Sequence, residues 1–288
     1  MKNSLLNRKE TRLTNQLPNI KTLVIGDSHL AAGFNTKHFG HQSYNYCGSG
    51  ENYMQNYYKL KSVLDQPNNI KTVVIPYEMH STSSFRNNRI TDYSYYGKHI
   101  SFLNEAISQQ NPGLIQDFIK SKAFSYLGQL DNWRRWQKGI KQRDITEGIE
   151  MRSNIFTNNT NKEQIARGSA TIHFKDATAP DQFATSHLRK LIALCKQKNK
   201  QPILVRMPVT DLYLKEVNKF QQLEQVEKDT ETHRQQYFEE IPYFNFRDSI
   251  TSLDLFDDSN HLNFEGSKQF STMLKRQIQD LYPNQRNH

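Results

Sequence analysis

Cysteine is almost missing from this chain, and so are long apolar runs. Only two cysteines, Cys47 and Cys195, occur in 288 residues. They lie far apart and match no metal or redox spacing, which excludes a disulfide framework or a cysteine-ligated zinc module and leaves two buried free thiols as the expectation. No segment, the polar opening 1–19 included, is apolar enough for a signal peptide or a membrane span. The sequence as written therefore reads as a soluble, cytoplasmic protein, or an extracytoplasmic one whose leader has been removed. Apolar residues are scarce throughout, at 35% with a mean hydropathy of -0.82, so the surface should be very polar. Disorder is not the reading, because 14 Tyr and 16 Phe supply burial that disordered chains lack. The length allows one large domain with a sizeable insertion.

No block of like charge stands out either. Lys+Arg 38 against Asp+Glu 29 gives +9, which permits polyanionic partners without selecting one. The one concentration, 120–143, interleaves Lys120, Lys122, Arg134, Arg135, Lys138, Lys141 and Arg143 with Phe124, Tyr126, Trp133 and Trp136. A solvated helix with an aromatic inner face accounts for it, and no nucleic-acid partner is expected.

What the chain does have begins at residues 21–28, Lys-Thr-Leu-Val-Ile-Gly-Asp-Ser. The run 22–25 is β-branched and aliphatic, the pattern of a central strand covered on both faces, and it stops at Gly26. Ser28 then falls where a helix should begin, at the carboxyl edge of a sheet, the place where open α/β sheets bind ligands. A helix N-cap would explain Ser28 equally well. A second strand is predicted at 43–47, followed by a Cys-Gly-Ser-Gly turn, a helix at 51–64 and a third strand at 70–75. Strand, helix and strand at these lengths make a βαβ unit with a parallel sheet. The stretch 81–184 breaks the rhythm and reads as a mostly helical insertion, with helices at 98–110, 113–126 and 131–141. Alternation resumes with a helix at 186–197, a strand at 202–207, a long polar helix at 214–237, a strand at 243–246 and a final helix at 264–281. The expected architecture is a three-layer α/β/α sandwich of flavodoxin-like type with about five parallel strands, a single domain over 1–288 with the insertion inside it. No internal repeat is visible.

The loop before the last helix reads Phe256-Asp-Asp-Ser-Asn-His-Leu-Asn. Asp258 and His261 stand three apart, so one loop can present an imidazole to a nucleophile while a carboxylate holds its other nitrogen. With Gly26-Asp-Ser28 near the start and Asp258-x-x-His261 near the end, the chain resembles the SGNH/GDSL hydrolase superfamily over about 20–80 and 186–281. The resemblance implies Ser28 as nucleophile, His261 as general base and Asp258 as the residue orienting His261. It also implies that Gly50, in Asn45-Tyr-Cys-Gly-Ser-Gly50, supplies an oxyanion N–H beside that of Ser28. The family's third motif, Gly-x-Asn-Asp, is absent. Pro76-Tyr-Glu-Met-His80 stands there instead, so His80 is the candidate third oxyanion donor or else a satisfied strand-end histidine. His29 replaces the usual Leu and is expected to point away from the substrate side of Ser28. These departures are similar to those of the polysaccharide O-acetyltransferases and the alginate and teichoic-acid acylation proteins.

A serine hydroxyl is a poor nucleophile at neutral pH and needs a base within hydrogen-bond reach. The function expected is a serine-dependent acyl-ester hydrolase acting on an acylated carbohydrate or other small acyl ester, with Tyr77, Tyr93, Tyr95 and Tyr96 as candidate substrate contacts and no cofactor. The alternatives are an O-acyltransferase to a polysaccharide hydroxyl and a degenerate glycan-binding protein of the same fold. Other chemistries find less support. Gly48-Ser-Gly50 lacks the third glycine of a dinucleotide fingerprint. Asp257, Asp258 and His261 lack a second cluster that would complete a metal site, and none is expected. Glu78 reads as a polar strand-end residue.

Overall fold

The computed structural model of the chain describes residues 5–87, 93–96, 102, 104–105, 145–146, 149–150, 152–177 and 179–283. The chain enters through helix α1 (Leu5–Gln16), strand β1 (Thr22–Val24), helices α2 (Ser28–Gly33) and α3 (Thr36–Phe39), strand β2 (Ser43–Asn45), helix α4 (Tyr53–Leu64) and strand β3 (Thr72–Pro76). Helix α5 (Tyr93–Tyr96), a two-stranded antiparallel hairpin of β4 (Ile145–Thr146) and β5 (Ile149–Glu150), and helix α6 (Lys162–Phe174) follow. The remainder is α7 (Gln182–Gln197), β6 (Gln201–Arg206), α8 (Asp211–Val217), α9 (Leu223–Phe238), β7 (Tyr243–Asn245) and α10 (Phe264–Leu281).

The main sheet has five strands, all parallel, in the order β2-β1-β3-β6-β7. Alternate strand residues face opposite layers. Leu23, Ile25, Val73, Ile75 and Leu204 join one cluster with Leu6 and Leu13 of α1, Met54 and Leu60 of α4, and Leu188 and Leu191 of α7. Val24, Val74, Ile203 and Val205 join the other, with Leu30 of α2, Phe39 of α3, and Phe270, Leu274 and Ile278 of α10. Both faces of the strands are thus sealed, which is why they read as unbroken aliphatic runs rather than alternating ones. Each such side chain is worth about 2 kcal/mol of burial. The three-layer α/β/α architecture and the five parallel strands agree with the sequence reading.

Three elements differ from it. The polar opening contains an amphipathic helix, α1, that docks Leu6 and Leu13 in the core and sends the buried Lys9 Nζ to the Cys47 carbonyl at 2.8 Å. The long helix expected at 214–237 is two helices, because Asn218 ends α8 and its Oδ1 accepts the Leu223 N–H at 3.0 Å. Helix α6 lies in the insertion beyond the three helices expected there; its Ala166, Ala170, His173 and Phe174 are buried. The helices expected at 113–126 and 131–141, and most of 98–110, lie outside the described residues.

Candidate active site

Counting only the strands of the main sheet, their order is 2-1-3-4-5, so the winding changes direction between β1 and β3, at whose carboxyl ends open α/β sheets bind ligands. Ser28 stands there. Beyond β1 the chain passes so close to β3 that a Cβ on Gly26 would lie 2.8 Å from Pro76 Cδ, and its φ of +153° is one that glycine tolerates. Asp27 caps α2 by accepting the His29 N–H at 2.9 Å, which places Ser28 as the first helical residue, half-buried at the rim. Asn45, at the end of β2, donates from Nδ2 to the carbonyls of Leu30, Ala31 and Phe34, fixing the other end of the same helix.

The second half of the site is the loop 257–263. Asp257 N–H donates to the His261 carbonyl at 2.9 Å, Thr210 Oγ1 donates to the Ser259 carbonyl at 2.7 Å, and Asn263 caps α10. Held this way, His261 places Nε2 2.9 Å from Ser28 Oγ and Nδ1 2.9 Å from both Oδ1 and Oδ2 of Asp258. Burial alone would raise the Asp258 carboxyl. The attraction of His261, the bonds from its ring and from the Asn260 N–H, and Arg152 beyond them prevail and hold it well below the usual carboxylate range. Asp257 is turned away, toward Arg152 at 3.2 Å.

Gly50 adopts φ +75° and is half-buried in the turn that follows β2, whose Gly48 N–H donates to the Gly26 carbonyl at 3.0 Å. His80 is not available as an oxyanion donor. It is 2% exposed, its Nε2 stands 2.8 Å from Asp27 Oδ2 and its Nδ1 3.3 Å from Glu78 Oε2, so two carboxylates occupy both ring nitrogens. The tyrosines also depart from expectation. Tyr77 is core, its hydroxyl bonded to His233 Nδ1 and the Thr230 carbonyl. Tyr95 and Tyr96 are buried, bonded to Tyr46 and Glu51 respectively. The side chain of Tyr93 lies outside what is described.

Beneath the Ser28–His261 pair runs a buried cluster that sequence reasoning missed. His29 is buried, and its Nδ1 donates to Glu78 Oε2 at 2.9 Å while Nε2 meets Asn260 Nδ2 at 2.9 Å. Arg86 reaches Asp27 Oδ2 at 2.6 Å. His173 stacks on His80 with ring centroids 4.9 Å apart and bonds the Tyr213 hydroxyl at 2.7 Å. Burial drives His29 down to about 4 and, aided by its cationic neighbours, keeps His173 well below the ordinary imidazole range. Burial opposes charge on His80 too, yet Glu78 and Asp27 outweigh it and raise that imidazole. Against the same burial, Arg86 and His80 hold Asp27 low, and His29 and His80 hold Glu78 low. The cluster joins the turn at 26–29, the end of β3, the 257–263 loop and α6. Its only signal in the sequence was the presence of polar residues directly after two neighbouring strands.

No family model and no curated protein matches the sequence. Among solved structures, the chain is similar to a protein from Bacteroides fragilis assigned as an acylhydrolase, with a TM-score of 0.46 and 11% identity over 98% of this chain and 99% of that one. It is also similar to a GDSL-like lipase from Bacteroides thetaiotaomicron (TM-score 0.44, 10% identity, 96% and 100% covered) and to Est24, a carbohydrate acetylesterase from Sinorhizobium meliloti (0.42, 9%, 91% and 100%). These structural neighbours are GDSL-like lipases and acylhydrolases.

Proposed function

We propose that the protein is a serine-dependent acyl-ester hydrolase in which Ser28 is the nucleophile, His261 the general base and Asp258 the residue that orients His261. The observation that carries this reading is the 2.9 Å contact from His261 Nε2 to Ser28 Oγ, with Asp258 on the opposite ring nitrogen. Asp258, held as the carboxylate, favours the tautomer with its proton on Nδ1, which leaves Nε2 bare to take the serine proton. As Oγ bonds to the acyl carbon, the carbonyl oxygen becomes negative and the N–H groups of Ser28 and Gly50 would receive it. Collapse expels the alcohol, which takes the proton from His261. Water then attacks the acyl-enzyme with the same base, and the acid departs.

Tyr77, Tyr95 and Tyr96 are buried and bonded to neighbouring side chains, so the substrate class proposed is a small acyl ester, with acylated carbohydrate resting on the resemblance alone. Ser28→Ala tests the assignment. Hydrolysis of p-nitrophenyl acetate should fall by about a thousandfold or more, with Tm unchanged within a degree or so, because a rim hydroxyl contributes little to the core. A variant as active as the parent removes Ser28 from the mechanism.

A further inference from the structure

The cluster behind the Ser28 turn has a geometry that hydrogen bonding uses incompletely. His29 and His80 both aim the same ring nitrogen, Nδ1, at one oxygen, Glu78 Oε2, at 2.9 and 3.3 Å. One potential ligand atom from each of the three residues lies within 4.8 Å of the other two, and all three residues are buried. Two ligands on a tetrahedral ion with bonds of about 2.0–2.1 Å stand about 3.3 Å apart, so the two spacings from Glu78 Oε2 are close to two edges of a coordination shell. The second carboxylate oxygen, Glu78 Oε1, is sealed from solvent and has no hydrogen-bond partner, whereas buried carboxylate oxygens in folded proteins are nearly always paired.

The outer sides of the two rings are also arranged as metal ligands require. A ligating imidazole gives its second nitrogen to a carboxylate or carbonyl oxygen, which fixes the tautomer and raises the basicity of the first. His80 Nε2 has Asp27 Oδ2 at 2.8 Å. His29 Nε2 has the Asn260 side-chain amide at 2.9 Å, and a half-turn of that amide would present its oxygen. The turn costs little, since the present partner of the oxygen is the Ser259 hydroxyl at 3.3 Å, which accepts as readily as it donates.

We propose that His29, Glu78 and His80 bind one divalent transition-metal ion of the zinc type, with Glu78 Oε1 or a water completing the shell. Two imidazoles and a carboxylate are a donor set suited to zinc. The ligands are nearly inaccessible, with His29 1% and His80 2% exposed, so the ion would act as a clamp and not as a Lewis acid on substrate. It would lock the turn bearing Ser28 to the end of β3, and through Asn260 to the loop bearing His261, whose ring lies 5.0 Å from that of His29. The inference does not depend on the esterase reading.

The full chain, stripped with chelator and confirmed folded by circular dichroism, is titrated with Zn²⁺ and separately with Co²⁺. One equivalent should bind, and cobalt should give the intense visible bands of a four- or five-coordinate ion. Glu78→Gln and His80→Asn should each weaken binding by at least tenfold, and Asp27→Asn by about tenfold to a hundredfold. No uptake at micromolar metal overturns the proposal. So does equal binding by the parent and Glu78→Gln, which marks adventitious capture by surface histidines such as His38. Should the variants fail to fold, the parent decides alone: a weak six-coordinate cobalt spectrum rejects the site. None of these outcomes bears on labelling of Ser28.

Discussion

Asp258 accepts from the N–H groups of Asn260 and His261 as well as from the His261 ring, whereas Asp257 pairs with Arg152 and the Asn154 N–H. Asp258→Asn should therefore lower kcat by about ten-thousandfold, through loss of the correct imidazole tautomer, and Asp257→Asn should leave most activity. The carboxyl of Asp258 is depressed in the folded state, so its contribution to stability is fully present above the unfolded value of about 4 and is lost as pH falls below it. The Tm gap between parent and Asp258→Asn should accordingly hold above about pH 5 and shrink progressively as pH falls below about 4; a gap that stays constant on acidification contradicts the assigned shift. His80→Asn, which would restore the residue type usual at the third motif, should rescue nothing. It removes the group bridging two buried carboxylates, and a loss of about 3–5 kcal/mol in urea unfolding is expected. Ser28, Asp258 and His261 were legible in the sequence because their types and order carry chemistry. The partners of His80 were not, since Asp27 and Glu78 come from the ends of different strands and no spacing announces that they meet.

At the scale of elements, the strands were legible because burial on both faces leaves an aliphatic run, while helix ends were not. The break between α8 and α9 depends on one asparagine side chain, and α6 buries only small residues and two aromatics on one side. Helix α1 was masked by polar residues, although Leu6 and Leu13 mark its inner face. Leu13, fully buried, gives a direct check: Leu13→Ala should cost about 2–5 kcal/mol, whereas a disposable lead-in would cost nothing. The turn after β1 offers another. At Gly26 an added Cβ meets Pro76 at 2.8 Å in a backbone conformation that suits glycine, so Gly26→Ala should lose about 1–3 kcal/mol and also activity, because the strain falls next to Ser28.

Taken as a whole, the molecule places Ser28, His261 and Asp258 where the sheet changes winding direction, with two apolar layers shielding both faces of the strands and polar groups gathered at the carboxyl rim. The two cysteines are accommodated as core residues. Burial raises Cys47 strongly and pushes Cys195 up to about 12, so neither should react with iodoacetamide until the protein is unfolded, when both should. Among the described residues no helix is long and apolar enough to cross a membrane. The most direct test of the central claim is labelling of the folded protein by a fluorophosphonate probe, read by peptide mass spectrometry. Stoichiometric modification at Ser28, abolished in Ser28→Ala and strongly reduced in His261→Ala, is the predicted result; an unlabelled protein, or a label on another serine, contradicts it.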